Sequence, residues 1–287
     1  MTRGSLLGRL LLSLGAAALL LGLLFFFGGV RPALVLGALG RLSPRVYALG
    51  LALHATTYAL RALRFQLLIP RATRPSFRHT LPVAAAHNMA SYVLPLKAGE
   101  AALIVYLKLQ CGTPGGVALA ALLVSRFLDG AALSAGLAAA CFAIGGTRAP
   151  PWMGGAAVAL VLAAVAFLLL SLRGDLLVRV LEAGLRWLRV QRLHAGQHLL
   201  ERIDALALAL RAASGGWRLT LAALTTVPMW FTVFGFYAVL AREFGIPETL
   251  GFLERAFGAS LATLFNLLPI NAAAGAGTQE LGWVTGF

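Results

Sequence analysis

The sequence predicts an all-α polytopic membrane protein, a transmembrane helix bundle with two re-entrant helical hairpins in an inverted repeat. The 287 residues are 60% hydrophobic and 12% charged, and their mean hydropathy is +0.85, whereas soluble domains average about 25% charged residues. Long uncharged runs alternate with arginine-rich loops. Two of the apolar runs, at 88–100 and 266–280, are broken by prolines, glycines and ionisable residues. Broken apolar segments in corresponding halves of a chain are typical of inverted-repeat membrane proteins.

The chain is predicted to form a single transmembrane domain, 1–287, divided by its apolar runs and arginine clusters. In chain order the predicted parts are a first span at 1–41, a first repeat at 42–145 with its hairpin at 80–110, a connecting span at 146–172, a cytoplasmic amphipathic segment at 173–218, and a second, incomplete repeat at 219–287 with its hairpin at 257–287. The uncharged run 10–30 can cross about 30 Å of hydrocarbon. Because it is longer than the apolar core of a signal peptide, we expect it to stay in the protein.

Basic residues set the predicted orientation. The loops 61–78 and 173–218 together hold more than half of the 24 Lys and Arg residues, so both are predicted to be cytoplasmic. The N-terminus, which carries Arg3 and Arg9, is predicted on the same side. We expect the protein in the cytoplasmic (inner) membrane of a bacterium.

Segment 80–110 is predicted to be a hairpin because of the number of crossings. The apolar runs 117–144 and 152–172 complete one round trip before the second cytoplasmic loop, so segment 80–110 must return to the side from which it came. Proline removes a backbone donor and glycine relaxes the backbone, so the break at 95–100 suits a reversal of the chain. The cytoplasmic segment 173–218 has apolar residues at helical spacing beside arginines, which fits either a helix on the membrane surface or a helix packed on the bundle.

The two breaks and one long helix supply the candidate substrate-binding residues. Ionisable groups and irregular backbone are costly at membrane depth unless they line a cavity, so they indicate a site. The candidates are Asn88, Pro95, Lys97, Gly99 and Glu100 at the first break, Arg126 and Asp129 on the long helix, and Asn266, Pro269, Asn271, Gly277, Thr278, Gln279 and Glu280 at the second break.

The charges in this set suggest an anion site. Lys97 and Arg126 near half-helix N-termini would attract a phosphate, and Glu100 and Glu280 could balance these cations or carry protons. The alternative for Arg126 is structural. It lies three residues before Asp129 on one helix face, so the two could form a salt bridge that only permits their burial.

Other residues are given ordinary roles. The net charge of +14 comes from arginines between apolar spans, so the expected partners are membrane lipids and not nucleic acid. A homo-oligomer is left open.

Cys111 and Cys141 lack metal-ligand spacing, so no metal or other cofactor is predicted. His54 and His87 are interpreted as hydrogen-bonded packing residues. Interface anchors near span ends are predicted for Trp152, Trp217, Trp230 and Trp283.

Three short patterns occur in order along the chain. They are Pro95-x-Lys97-x-Gly99-Glu100, Arg126-x-x-Asp129 and Gly275-x-Gly277-x-x-Glu280. From about Leu42 onward the chain resembles the lysylphosphatidylglycerol synthase transmembrane region, a flippase-like family similar to the membrane half of the multiple peptide resistance factor. The resemblance implies lipid translocation. In the resistance factor a soluble C-terminal domain performs aminoacyl transfer, and this sequence contains nothing like it.

The sequence departs from the family at a few places. Leu103 stands where the family usually has arginine, Lys97 stands where arginine is commoner, and alanines at 272–274 replace part of a Pro/Gly-rich turn. These changes leave the implied fold intact and leave the lipid headgroup open.

The sequence therefore predicts a lipid flippase or lipid transporter for a phospholipid or glycolipid with an anionic headgroup. One alternative is a membrane enzyme that modifies a headgroup, with Glu100 or Glu280 as general base. It ranks lower because the sequence offers no nucleophile or metal cluster, so no catalytic residue is predicted. The other alternative is a non-transporting membrane scaffold, which would leave the intramembrane charges unexplained.

Overall fold

A computed structural model describes residues 32–93, 98–144, 152–173, 178–179, 183, 206–213, 215–243 and 251–267. Throughout this part of the chain the regular secondary structure is helical, as predicted. In chain order the helices are α1 (Pro32–Arg41), α2 (Pro44–Leu68), a 3-10 turn (Arg71–Thr73), α3 (Phe77–Val93), α4 (Ala98–Cys111), α5 (Gly115–Ile144), α6 (Trp152–Leu172), α7 (Gly216–Glu243) and α8 (Phe252–Leu267).

Three of these helices, α5, α6 and α7, are long and apolar enough to cross a membrane. They agree within three residues with the predicted spans at 117–144, 152–172 and 219–240. The protein is therefore a helical membrane protein, as its composition indicates.

Helix α2 is longer than its apolar run. Ser43 caps its N-terminus by accepting a hydrogen bond from the Val46 amide at 3.3 Å, and Pro44 occupies the first helical turn, where its missing N–H costs nothing. The prediction that the loop begins at Arg61 is wrong, because the helix continues through Arg61 and Arg64 to Leu68. The charge of Arg64 is paired inside the bundle, so this arginine does not mark the end of helix α2.

Helices α3 and α4 pack directly against each other. At Gly99 the two backbones lie so close that any side chain there would collide with the backbone of Ser91. Thr113, just after α4, donates a hydrogen bond to the carbonyl of Thr73, just before α3, at 3.5 Å. The pair thus starts and ends at one end of the bundle, as a hairpin does. Its turn at 94–97 lies outside the described residues.

The start of α7 lies at this same end. Arg218 donates to the carbonyl oxygens of Gln66 and Ile69 at 2.8 and 2.6 Å, at the C-terminus of α2, where a cation is favoured by the helix dipole. The predicted common side for the loops 61–78 and 173–218 requires this proximity. The cytoplasmic location of this end of the bundle stays a prediction.

Three apolar clusters of buried residues follow one another along α5, and the third is a small one formed by Cys141, Met153 and Ala157. The first includes Leu122, Val124 and Leu128, and the second includes Leu133 and Leu137. Helix α7 spans the same two clusters, with Leu219 and Ala222 in the first and Met229, Trp230 and Phe234 in the second. A polar layer lies where the first two clusters meet, and it holds the candidate site.

Part of the amphipathic segment contributes to the first cluster. Residues 206–213 are helical, and Val178, Leu210 and Ala213 are buried among the bundle's core residues. For these residues, packing on the bundle is the observed arrangement. Residues 174–177, 180–182, 184–205 and 214 of the segment lie outside the described residues.

The described residues include only part of the two predicted repeats. The first span at 10–30 and residues 268–287 lie outside the described residues, so the second hairpin is represented by α8 alone. Helix α8 packs against α5 and α7. The inverted repeat and the re-entrant character of both hairpins remain predictions.

Candidate functional site

Asp129 is the centre of the polar layer. Its carboxylate accepts hydrogen bonds from Arg64 Nη1 at 2.6 Å and Nη2 at 3.0 Å, from Trp230 Nε1 at 3.1 Å and from Arg126 Nη1 at 3.2 Å. A carboxylate has about four acceptor positions, so Asp129 is saturated. Because its donors come from α2, α5 and α7, this one buried side chain joins three helices.

Arg64 is the main partner of Asp129. Only 1% of its side chain and 5% of the Asp129 side chain are exposed. Arg64 Nη1 also donates to the hydroxyl of Thr226 at 3.1 Å, and that hydroxyl in turn donates to the Ala222 carbonyl at 2.8 Å. Burying two charges is costly unless geometry is good and the remaining groups are bonded. The pair meets the first condition, and it meets the second except at Arg64 Nε, which is buried without a hydrogen-bond partner among the described residues.

Arg126 forms a second two-pronged ion pair, with Glu100. Its Nε lies 3.0 Å from Glu100 Oε2, and its Nη2 lies 2.6 Å from Oε1. The two side chains are 29% and 27% exposed. Glu100 lies in the first turn of α4, where the helix dipole favours a negative charge. This pair borders open space, whereas the Arg64–Asp129 pair does not.

His87 on α3 contacts both partners of this second pair. Its Nδ1 is 2.9 Å from the Gly99 carbonyl, which can only accept, so Nδ1 carries the hydrogen. Its Nε2 is 3.1 Å from Arg126 Nη2, which can only donate, so Nε2 has no hydrogen. His87 is therefore a neutral imidazole, as a hydrogen-bonded packing residue would be. The same Nε2 lies 3.9 Å from Glu100 Oε2.

A second hydrogen-bonded chain runs beside the charged one. Arg61 Nη1 donates to Asn88 Oδ1 at 2.6 Å, Asn88 Nδ2 donates to the Tyr58 hydroxyl at 3.1 Å, and that hydroxyl lies 2.8 Å from His54 Nε2. Since the Tyr58 oxygen accepts from Asn88, its own hydrogen points to His54. The three α2 residues recur at spacings of four and three, so they share one helix face. Asn88 links this face to α3.

The structure brings together Asn88, Gly99, Glu100, Arg126 and Asp129 of the predicted site. The other candidates lie outside the described residues or, for Asn266, have a side chain outside them. These are Pro95, Lys97, Asn266, Pro269, Asn271, Gly277, Thr278, Gln279 and Glu280. The predicted meeting of the two breaks stays a prediction.

Sequence reasoning missed four members of the network. Arg61 and Arg64 were assigned to a loop, although Pro70 is the first helix-stop signal after them and could have placed both in the helix. Thr226 carried no distinguishing signal. The prediction that Trp230 anchors the membrane interface is wrong, because only 8% of it is exposed and its indole N–H binds Asp129. Trp230 lies in the middle of α7 and not near its end.

The described residues contain no group of three or more His, Cys, Asp or Glu side chains placed to hold a metal ion. The two carboxylates of the polar layer, Asp129 and Glu100, are instead paired with Arg64 and Arg126. The set of Arg61, Arg64, Arg126, Glu100 and Asp129 carries three positive and two negative charges, a sum of +1 with His87 neutral.

Comparison with known proteins places this arrangement in a family. The family model described as the lysylphosphatidylglycerol synthase TM region matches residues 8–287. Neither the curated proteins nor the solved structures contain a significant match to the chain. The family is linked to membrane lipids. Since the match covers nearly all of the sequence, the chain belongs to the family of the lysylphosphatidylglycerol synthase transmembrane region.

Proposed function

We propose that the protein is a lipid flippase or lipid transporter that moves a phospholipid or glycolipid with an anionic headgroup across the bacterial cytoplasmic membrane, with its N-terminus in the cytoplasm. The single observation that carries the proposal is the partly exposed Arg126 fork, which holds a carboxylate in the polar layer of an apolar bundle. A guanidinium that binds two carboxylate oxygens can bind two phosphate oxygens in the same way.

The depth of this fork favours a headgroup site over an ordinary surface ion pair. Arg126 follows Gly115, the start of α5, by eleven residues, which places it about 17 Å along the helix. The hydrocarbon core of a bilayer is about 30 Å thick. A charge at this depth is costly unless it is paired or faces a water-filled cavity, and such charges usually mark a substrate path. The headgroup would enter the polar layer while the acyl chains stay in the bilayer.

Helix lengths support re-entrant hairpins as the walls of this path. Helix α4 has 14 residues, a length of about 21 Å, and this is too short to cross the hydrocarbon core. Together with α3 it returns to the end of the bundle from which it came. In the proposal, the turn between them brings Lys97 to the headgroup, and the second break, with Glu280, does the same from the opposite face.

The proposal is for transport and not for chemistry on the headgroup. Both oxygens of Glu100 already accept hydrogen bonds from Arg126, so Glu100 is poorly placed to act as a general base. The enzyme alternative predicts a lipid of changed mass. Mass spectrometry of lipids recovered after the transport assay separates the two functions.

The test is transfer of fluorescent lipids in reconstituted vesicles, with dithionite to bleach the outer leaflet. We expect faster transfer of labelled phosphatidylglycerol than of labelled phosphatidylcholine, and we expect Arg126→Gln to slow the first by at least about tenfold, since charge-assisted contacts contribute about 1.5–3 kcal/mol. Lys108→Gln is the matched control, because Lys108 is exposed on α4 and the substitution removes the same charge. Equal transfer by the Arg126 variant and the unmodified protein would overturn the proposal.

A further inference from the structure

We infer that a lipid phosphate replaces Glu100 on Arg126 and that His87 takes up one proton at Nε2 in the same step. The inference rests on the proposed function and adds a coupling that the function alone does not require. The reaction is balanced as follows: the phosphodiester binds Arg126, Glu100 is released from it, and one proton moves from the buffered solution, as hydronium or buffer acid, to Nε2 of His87.

Displacement of Glu100 follows from the geometry of the fork. Arg126 Nε and Nη2 are the donors that a two-pronged oxyanion needs, and Glu100 occupies both. Two oxyanions cannot share them. Asp129 cannot yield its place instead, because it is buried and bound by four donors. Glu100 is the partly exposed carboxylate, and it lies next to the break between α3 and α4.

A released Glu100 needs a new positive charge. An unpaired carboxylate in a site with little water is costly. His87 Nε2 is 3.9 Å from Glu100 Oε2, and Nε2 loses its present donor when Arg126 turns to the phosphate. The Nδ1 hydrogen stays on the Gly99 carbonyl, so the added proton can only reside on Nε2. The resulting imidazolium pairs with Glu100.

The groups that face His87 explain why it stays neutral without substrate. Burial of the imidazole opposes protonation most, and the positive charges of Arg126 on α5 and Arg61 on α2 oppose it further. The negative charge of Glu100 on α4 favours protonation. Arg126 offsets this charge as long as it binds the carboxylate. The ring of Phe65 packs on the imidazole from α2 and offers no charge. When Arg126 turns to a phosphate, it no longer offsets the charge of Glu100, and protonation of His87 becomes favourable.

The first test counts protons in the unmodified full-length protein. A short-chain phosphatidylglycerol, whose phosphodiester keeps one negative charge between pH 5.5 and 8, is titrated into the detergent-solubilised protein by calorimetry in two buffers of different ionisation heat. We expect uptake of close to one proton per bound lipid. Because a proton enters with the lipid, binding is favoured at low pH, and Kd should rise by up to about tenfold per pH unit over the range in which His87 must be newly protonated.

Two substitutions locate the proton. Glu100→Gln removes the charge that needs compensation, so its Kd should not vary with pH and should be lower than that of the unmodified protein at pH 8. His87→Gln removes the proton acceptor, so its Kd should also not vary with pH but should be higher than that of the unmodified protein at pH 6. His79→Gln is the matched control, because His79 is exposed at the start of α3 and its loss should leave the pH dependence intact.

The outcomes separate this inference from the proposed function. Lipid binding without proton uptake would overturn the inference, with Arg61 or a cation on the lipid as the compensating charge, and would leave the transport proposal standing. A pH dependence that survives in His87→Gln would also overturn it. Absence of phosphatidylglycerol binding at every pH would instead count against the proposed function. If Glu100→Gln does not fold, the proton count in the unmodified protein still decides.

Discussion

Two guanidinium–carboxylate pairs lie side by side in the polar layer and differ mainly in their surroundings. Arg64–Asp129 and Arg126–Glu100 have the same shortest N–O distance, 2.6 Å. The first pair is almost fully buried, whereas more than a quarter of each side chain in the second is exposed. Similar bond geometry thus serves two purposes. One pair holds helices together, and we propose that the other presents a charge to a ligand.

The difference comes from the position of each carboxylate. Asp129 lies on α5 between the first two apolar clusters and accepts bonds from α2 and α7 as well as from its own helix. Glu100 lies at the first turn of α4 and accepts bonds from Arg126 alone among the hydrogen bonds between described residues. Removal of Arg126 therefore does not leave Asp129 without a cation, contrary to what the sequence suggested. Single substitutions can test the two pairs separately.

The largest effect is expected from Asp129→Ala, which would leave Arg64 buried without its counter-charge. Breaking a buried ion pair from one side costs about 3–5 kcal/mol. We expect a large fall in the apparent melting temperature in detergent and low recovery of folded protein. Glu100→Ala serves as the comparison and should destabilise the protein much less. Equal losses in the two variants would remove the distinction between the pairs.

The next effect is expected from Trp230→Phe. The substitution keeps an aromatic ring in the second apolar cluster, removes the N–H from which Asp129 accepts at 3.1 Å, and adds a packing loss because phenyl is smaller than indole. Hydrogen bonds to charged groups contribute about 1.5–3 kcal/mol. Thermal unfolding should show a loss in that range while lipid transfer by the folded fraction stays normal. A normal melting temperature would show that Arg64 and Arg126 suffice for Asp129.

A smaller effect on stability is expected from Arg126→Gln. Asp129 keeps Arg64 and Trp230, and Glu100 keeps His87 at 3.9 Å as a partner that can take up a proton, so the loss should be about 1–2 kcal/mol. Arg64→Gln changes the same residue type and should cost clearly more, which thermal unfolding of the two variants in the same detergent can measure. The reverse order would mean that the exposed pair is the structural one.

The smallest effect is expected from Tyr58→Phe, which interrupts the chain from Arg61 to His54 and touches neither ion pair. One neutral hydrogen bond contributes about 0.5–1.5 kcal/mol, so the melting temperature should fall only slightly. Lipid transfer should be nearly unchanged if this chain only satisfies polar groups. A strong loss of transfer in a normally stable variant would extend the site along α2.

Much of the fold could be predicted because hydropathy and length are local properties. The helices α5, α6 and α7 lie close to their predicted bounds, and Arg126 and Asp129 share a helix face, as their spacing requires. The sequence-based prediction ends α2 too early because it treats each arginine near an apolar run as a membrane boundary. That rule fails when an arginine has a buried partner elsewhere in the bundle.

The sequence by itself determined that the chain is a helical membrane protein with charged residues inside apolar runs, since composition and periodicity are read from neighbouring residues. It also determined the family, through patterns spread over most of the chain. Only the tertiary structure decided which charge meets which. Asp129 pairs chiefly with Arg64, 65 residues earlier, and Arg126 pairs with Glu100, 26 residues earlier. Such partners depend on how helices pack, and packing brings together residues whose separation along the chain gives no sign of their contact.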